Sequence, residues 1–271
     1  MSDLDCVTLP PPPSRIHSDD EERDMELFAM APQAPVIVNL TSEAKSKLKD
    51  GKLCPSSLVI ATSPAGCMIL CHLISSKTVI GSLTLPECSM ANNTLSSSHT
   101  NKDCFIYQTS FDTILVACQY DVQPGRCGAL VKALFSVMDP TSVTIVNSVS
   151  SCDLCTLPPD EGIVALETDL YKERRRVPSD IMYLPSGNMV DGLPAALMSH
   201  CQTRGVAAQL LVSIEHAPVP DETTLLQLAQ VLDHEVSAIG DTLGLELDNF
   251  GCATGDVQHS YSHSSHSTLF T

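Results

Sequence analysis

The feature that most constrains this chain is its alternation of short, almost wholly apolar runs with segments of helical periodicity. Ser57-Leu58-Val59-Ile60-Ala61 is apolar over the length of a strand, with no polar residue at every second place. A strand of that kind is covered on both faces. Thr113 to Cys118 and Ala207 to Ile214 repeat the pattern, and Val143-Thr144-Ile145-Val146 is a β-branched version of it. Between these runs lie helices. Ser63 and Pro64 give a cap and a first-turn proline ahead of Met68, Ile69, Leu70, Leu73 and Ile74. Gly128 to Met138 carries one apolar face, Leu130, Val131, Leu134, Phe135 and Met138, and Asp139-Pro140 stops it. Pro220 and Asp221 open a helix that buries Leu225, Leu228, Ala229, Leu232 and Val236. Strands and helices in this order predict a single α/β domain with a mostly parallel central sheet flanked by helices. Cys104 to Tyr107 and Thr113 to Cys118 lie close enough together to pair as a hairpin.

The domain is expected over residues 51–250. Residues 1–50 read as a disordered tail: Pro10 to Pro13 favour an extended, solvated backbone, and Asp19-Asp20-Glu21-Glu22 is acidic without an apolar period. Within that stretch, Ala34 to Leu40 has the makings of an edge strand, and Thr41 to Lys49 of a short polar helix or loop. Glu87 to Asp103, rich in Ser, Thr and Asn, reads as an exposed loop. Residues 251–271 read as a flexible tail.

Charge sets the partners. The chain has 15 basic against 32 acidic residues, a formal net charge of −17. Nucleic-acid backbones need clustered Lys and Arg, so they are poor ligands for it. Lys172 to Arg176 is the one basic cluster, read as a solvated loop patch that offers a contact to an acidic partner. No run approaches the length of a membrane span, and Met1-Ser2-Asp3-Leu4-Asp5 is not a secretory signal. These point to the cytoplasm, with the nucleus or the outer surface of the endoplasmic reticulum as further places. In a reducing compartment the 12 cysteines, such as Cys67, Cys71, Cys118 and Cys201, act as small buried hydrophobes.

Few motifs carry chemistry. The turn Thr62 to Gly66 lacks the glycine spacing of a dinucleotide site or phosphate loop, so it is structural. Cys152-Asp153-Leu154-Cys155 has the spacing of a metal or redox pair, but no second pair of ligands and no strand-to-helix context accompany it. His259, His263 and His266 have the spacing of one helix face, but serines separate them in a polar tail. His72, His200, His216 and His234 read as surface or core-edge residues. No nucleophile elbow and no paired acid–base motif stands out. No cofactor and no metal is expected. The last three residues, Leu269-Phe270-Thr271, join an aliphatic side chain, an aromatic ring and a terminal carboxylate on a polar tether.

The stretch Asp191-Gly192-Leu193-Pro194-Ala195-Ala196-Leu197 is the most distinctive inside the domain. Asp191 is placed to cap a helix with Pro194 in its first turn, and the alanines let that helix sit close to its neighbour. With Ser199, Cys201 and Gln202, with the order of the apolar strands, and with the terminal tripeptide, it resembles the eukaryotic proteasome assembly chaperones. The resemblance implies a protein that is not an enzyme. It implies a heterodimer with proteasome assembly chaperone two that sits on the proteasome α-ring, promotes 20S assembly and discourages off-pathway α-ring dimers. It also implies a C-terminal motif of a hydrophobic residue, a tyrosine and any residue, which inserts between α-subunits. Here Leu269 is the hydrophobic residue, Phe270 stands in the tyrosine place, and Thr271 supplies the carboxylate. Phe270 keeps the ring and lacks the hydroxyl, a difference of one hydrogen bond worth about 0.5–1.5 kcal/mol. The alternative is a nucleoside phosphorylase-like α/β enzyme, on the strength of the inferred sheet alone.

Overall fold

The computed structural model describes residues 34–238 except 75, 88–103, 110–111, 157, 159–161, 176–179 and 218–221, together with Leu243. The fold is that of the compact unit beginning at Pro35. The strands are β1 (Ile37–Leu40), β2 (Ser57–Ala61), β3 (Lys77–Thr84), β4 (Cys104–Thr109), β5 (Thr113–Cys118), β6 (Ser142–Ser150), β7 (Ile163–Glu167), β8 (Met182–Tyr183) and β9 (Ala207–Glu215). The helices are α1 (Ser42–Ser46), α2 (Pro64–Met68, continued by a π-helical turn over Ile69–Leu73), α3 (Pro124–Val137), α4 (Asp169–Arg174), α5 (Gly192–Arg204) and α6 (Glu222–Ala238). Among the described residues no helix is long and apolar enough to cross a membrane.

The nine strands among the described residues join one sheet in the order β1-β3-β4-β5-β2-β6-β9-β7-β8. The expectation of a mostly parallel sheet is corrected, because the sheet is mixed. Its centre, β5-β2-β6-β9, is parallel, and β7 pairs parallel with β8. The pairs β1-β3, β3-β4, β4-β5 and β7-β9 are antiparallel. Connection length explains the pairing of β4 with β5. A parallel neighbour needs a crossover of a dozen or so residues, usually a helix. The link from Thr109 to Thr113 is too short for one, so β4 and β5 pair as a hairpin.

The continuous apolar runs follow from burial on both faces. Every residue of β2 and β5 is buried. Leu58 and Ile60, with Ile114 and Val116, face α3 and α5. Val59 and Ala61, with Leu115 and Ala117, belong to the opposite layer with α2 and α6. Alternate side chains of a strand point to opposite faces, so each run feeds two cores. Each such valine, leucine or isoleucine contributes about 1.5–3 kcal/mol by leaving water.

Local signals match local structure. Ser63 Oγ accepts from Gly66 N at 3.3 Å, with Pro64 in the first turn of α2. A Cβ on Gly66 would meet Val146 Cγ1 at 3.0 Å, so the glycine lets α2 lie against β6. α5 ends in a Schellman motif: Gly205, with φ 65°, donates to Gln202 O, and Val206 N donates to Cys201 O at 2.9 Å. Gly81 sits where the β3–β4 register shifts, and a Cβ there would lie 2.4 Å from Asn39 O. That is backbone, which cannot swing aside. Gly81→Ala is therefore expected to push β1 off β3 and to destabilise the domain by about 1–3 kcal/mol. A lowered urea midpoint, with early loss of amide protection at Ile37 to Leu40, is the readout.

Candidate functional site

Strands β2, β5 and β6 are parallel, so their carboxyl ends open on one side of the sheet. In open α/β sheets that edge is where ligands collect. A cleft of about 630 Å³ lies there, between the ends of these strands and the start of α5. Thr62 follows β2, Tyr120 and Asp121 follow β5, Asn147 and Ser148 belong to the end of β6, and Asp191 and Gly192 close the far wall. The Thr62 hydroxyl lies 3.1 Å from the Val146 carbonyl oxygen and 3.0 Å from Asn147 Oδ1, either of which can take its proton. Asn188 clamps two loops of the wall together: its Oδ1 accepts from Thr156 N at 3.1 Å and its Nδ2 donates to Thr156 O at 2.7 Å.

The segment Asp191 to Leu197 does open a helix, as its sequence predicts. The role given to Asp191 needs correction. It holds the N-cap position, but its side chain makes no capping hydrogen bond. Gly192, with φ 60°, turns the chain into α5 instead. The Asp191 carboxylate thus faces a cleft that also holds Asp121 and Asp153. Burial raises the nearby Cys127 thiol above its ordinary range, and Asp121 and Asp191 push in the same direction. Asp191→Ala is expected to change stability by less than about 0.5 kcal/mol, where loss of a working cap costs about 1 kcal/mol. Thermal melts of the two proteins decide it.

The cleft is ill suited to phosphorolysis. Among the described residues three carboxylates and no Lys, Arg or His line it, and that field repels a phosphate or a phosphorylated sugar. The Ser148 hydroxyl donates to the Glu215 carboxylate, which burial holds above its ordinary range. Among the described residues no group of three His, Cys, Asp or Glu side chains is arranged to hold a metal ion. Cys152 and Cys155 are exposed and free.

A second constellation was hidden from sequence reasoning. Lys172 to Arg174 lie in α4, not in a loop, and Arg175 turns inward. Its guanidinium pairs with Glu167 through Nη1 and with Glu235 through Nη2, and these side chains are 7%, 1% and 1% exposed. Gln209 Nε2 donates to Glu235 at 2.9 Å and to Glu167 at 3.3 Å, and Tyr171 OH donates to Gln209 Oε1 at 3.0 Å. Tyr183 OH donates to the second Glu167 oxygen at 2.7 Å. One cation and two carboxylates therefore tie β7, β8, β9, α4 and α6 together from within. The signal in the sequence was Gln209, a polar residue inside an otherwise apolar strand.

The terminal tripeptide Leu269, Phe270 and Thr271 lies outside the described residues, as do His259, His263, His266 and most of residues 1–33 and 239–271.

Comparison with known proteins bears on both the body and the family. The family model PAC1, described as "Proteasome assembly chaperone 4", matches residues 14–248. Proteasome assembly chaperone 1 of Xenopus laevis is 29% identical over 174 residues, which cover 58% of this chain and 59% of that protein. The structure of Pyrococcus furiosus PbaA, described as an archaeal homolog of proteasome-assembly chaperone, superposes with a TM-score of 0.61 at 12% identity, covering 86% of this chain and 92% of that one. Pyrococcus furiosus PbaB, described as an archaeal proteasome activator, gives 0.55 at 14% identity over 85% and 98% of the two chains. At these identities the solved structures speak for the fold.

Proposed function

Because this chain belongs to the proteasome assembly chaperone family, whose model spans residues 14–248, we propose that it is a non-catalytic chaperone of 20S proteasome assembly. In this reading it works as a heterodimer with proteasome assembly chaperone two. The pair binds the α-ring, holds α-subunits in the productive arrangement and blocks off-pathway dimers of α-rings. The family match is the observation that carries the proposal. The acidic lining agrees with it, since three carboxylates would repel the phosphate that the enzyme reading needs. A strongly acidic surface, −17 in formal charge, suits basic surfaces on a partner and speeds encounter with them.

The contact we assign to the chain itself is its tail. Leu269 and Phe270 fill an apolar pocket between neighbouring α-subunits, and the free carboxylate of Thr271 pairs with a lysine there. Charge-assisted bonds of this kind are about twice as strong as neutral ones. The place of action is the cytoplasm, where the α-rings assemble.

Affinity capture from cells tests the reading. The full chain should recover both the second chaperone and α-subunits. A chain lacking 269–271 should keep the second chaperone and lose most of the α-subunits. Recovery of neither by the full chain would overturn the proposal.

A further inference from the structure

At the amino ends of the parallel strands, on the side of the sheet opposite the acidic cleft, the surface charge changes sign. A pocket of about 460 Å³ lies there, at the carboxyl ends of α3 and α5. Lys52, Lys132 and Arg204 line it, with Asp139 as the one carboxylate in the lining. Lys132 and Arg204 are exposed and Lys52 is half-buried. Among the described residues none of the three cations forms a salt bridge or donates a side-chain hydrogen bond. The floor is apolar: the Phe135 ring packs on His200 with centroids 4.4 Å apart, beside Met138 and Val206.

Cations are expected near helix carboxyl ends, where they offset the macrodipole. Each end amounts to about half a negative charge, so two ends and Asp139 offset about two of the three positive charges. A positive excess remains, in a chain that is otherwise strongly acidic. Charge elsewhere on the chain is screened beyond about 8 Å at physiological salt, so the local excess decides what binds. Burial, with Arg204 and Lys52 beside it, holds His200 below its ordinary range. At neutral pH that side chain offers a ring face rather than a charge.

We infer that this pocket, with Lys52, Lys132 and Arg204 around a Phe135–His200 floor, docks an acidic peptide segment of a partner protein, one that carries an aromatic or aliphatic residue beside its carboxylates. A compact phosphate is the poorer ligand. It wants backbone N–H groups at a helix amino end, and here two helices present carbonyl ends. Carboxylates spread along a peptide reach separate cations, while an apolar side chain covers the floor. The inference goes beyond the assembly-chaperone reading and stands without it.

The test is fluorescence anisotropy on the full chain with a short labelled peptide of glutamates around one phenylalanine. Saturable binding is expected. It should weaken with added salt, and it should fall by about tenfold or more in the Lys132→Glu, Arg204→Glu double variant. Lys45→Glu, on α1 outside the pocket, should leave it unchanged. A peptide with glycine for its phenylalanine should bind more weakly. Lys132→Ala, a truncation at an exposed helix position, should show the same loss at smaller size if the double variant does not fold. No binding, equal binding by the variants, or full competition by inorganic phosphate at the peptide's own concentration would each overturn the inference.

Discussion

Arg175→Ala is expected to destabilise the domain by about 3–5 kcal/mol, the cost of leaving buried charges uncompensated. Glu167 and Glu235 are both enclosed, and Arg175 is the cation that faces them. Without it two carboxylates share a buried site in which Gln209 and Tyr183 donate neutral hydrogen bonds and the exposed His234 ring lies 3.5 Å from Glu235. For a domain of this size that amounts to about 10 °C in melting temperature, at 2–4 °C per kcal/mol. Glu235→Gln should cost far less, about 1 kcal/mol, because Arg175 keeps Glu167 and the amide can accept from Gln209. Urea titration reads both, with the slope unchanged and the midpoint moved. Equal losses in the two variants would mean that packing, not charge balance, holds these elements together. The network links β7, β8 and β9 to α4 and α6, so its failure should first release the β7–β8 edge.

Adding one residue after Thr271 is expected to weaken α-ring binding by about tenfold to a hundredfold, the loss of a hydrogen-bonded charge worth about 1.5–3 kcal/mol. The proposal takes the Thr271 carboxylate as free and seated against a lysine. An extension moves that charge away from the pocket without touching Leu269 or Phe270, and amidation removes it outright. Either change should leave the melting temperature of the domain where it was. Phe270→Ala tests the other half of the contact, since it keeps the carboxylate and removes the ring. Phe270→Tyr should tighten binding, by about 0.5–1.5 kcal/mol if the pocket offers a partner to the hydroxyl. Surface plasmon resonance on immobilised α-rings separates these effects. Unchanged binding by the extended chain would remove the tail from the account and leave the body of the protein as the docking element.

The sequence made the centre of the fold legible and left its flanks obscure. Strands buried on both faces, such as Ser57–Ala61 and Thr113–Cys118, advertise themselves because every residue is apolar. The helix over Glu222–Ala238 and the one opened at Gly192 do so through their spacing and their punctuation. β3, β7 and β8 did not, because Lys77 to Thr84 has exposed residues on an outer strand and Met182–Tyr183 is too short for any period. Two of these missed strands, β3 and β7, account for three of the four antiparallel pairs, which is why the sheet read as mostly parallel. Arg175 was misread for a related reason. Four basic residues in a run look solvated, and only the placement of Glu167 and Glu235 by distant elements shows that one of them is enclosed. Asp191 shows the converse. Its position is that of a cap, yet a left-handed Gly192 does the turning and leaves the carboxylate to the cleft.

The central claim is a role in building the proteasome core, and reconstitution measures it most directly. Purified α-subunits are mixed with this chain and proteasome assembly chaperone two, and the products are resolved on native gels. The account predicts more single α-rings and fewer α-ring dimers than α-subunits give alone, with the gain reduced when residues 269–271 are deleted. An unchanged ratio of single to double rings, with both chaperones folded and present in excess, would contradict it.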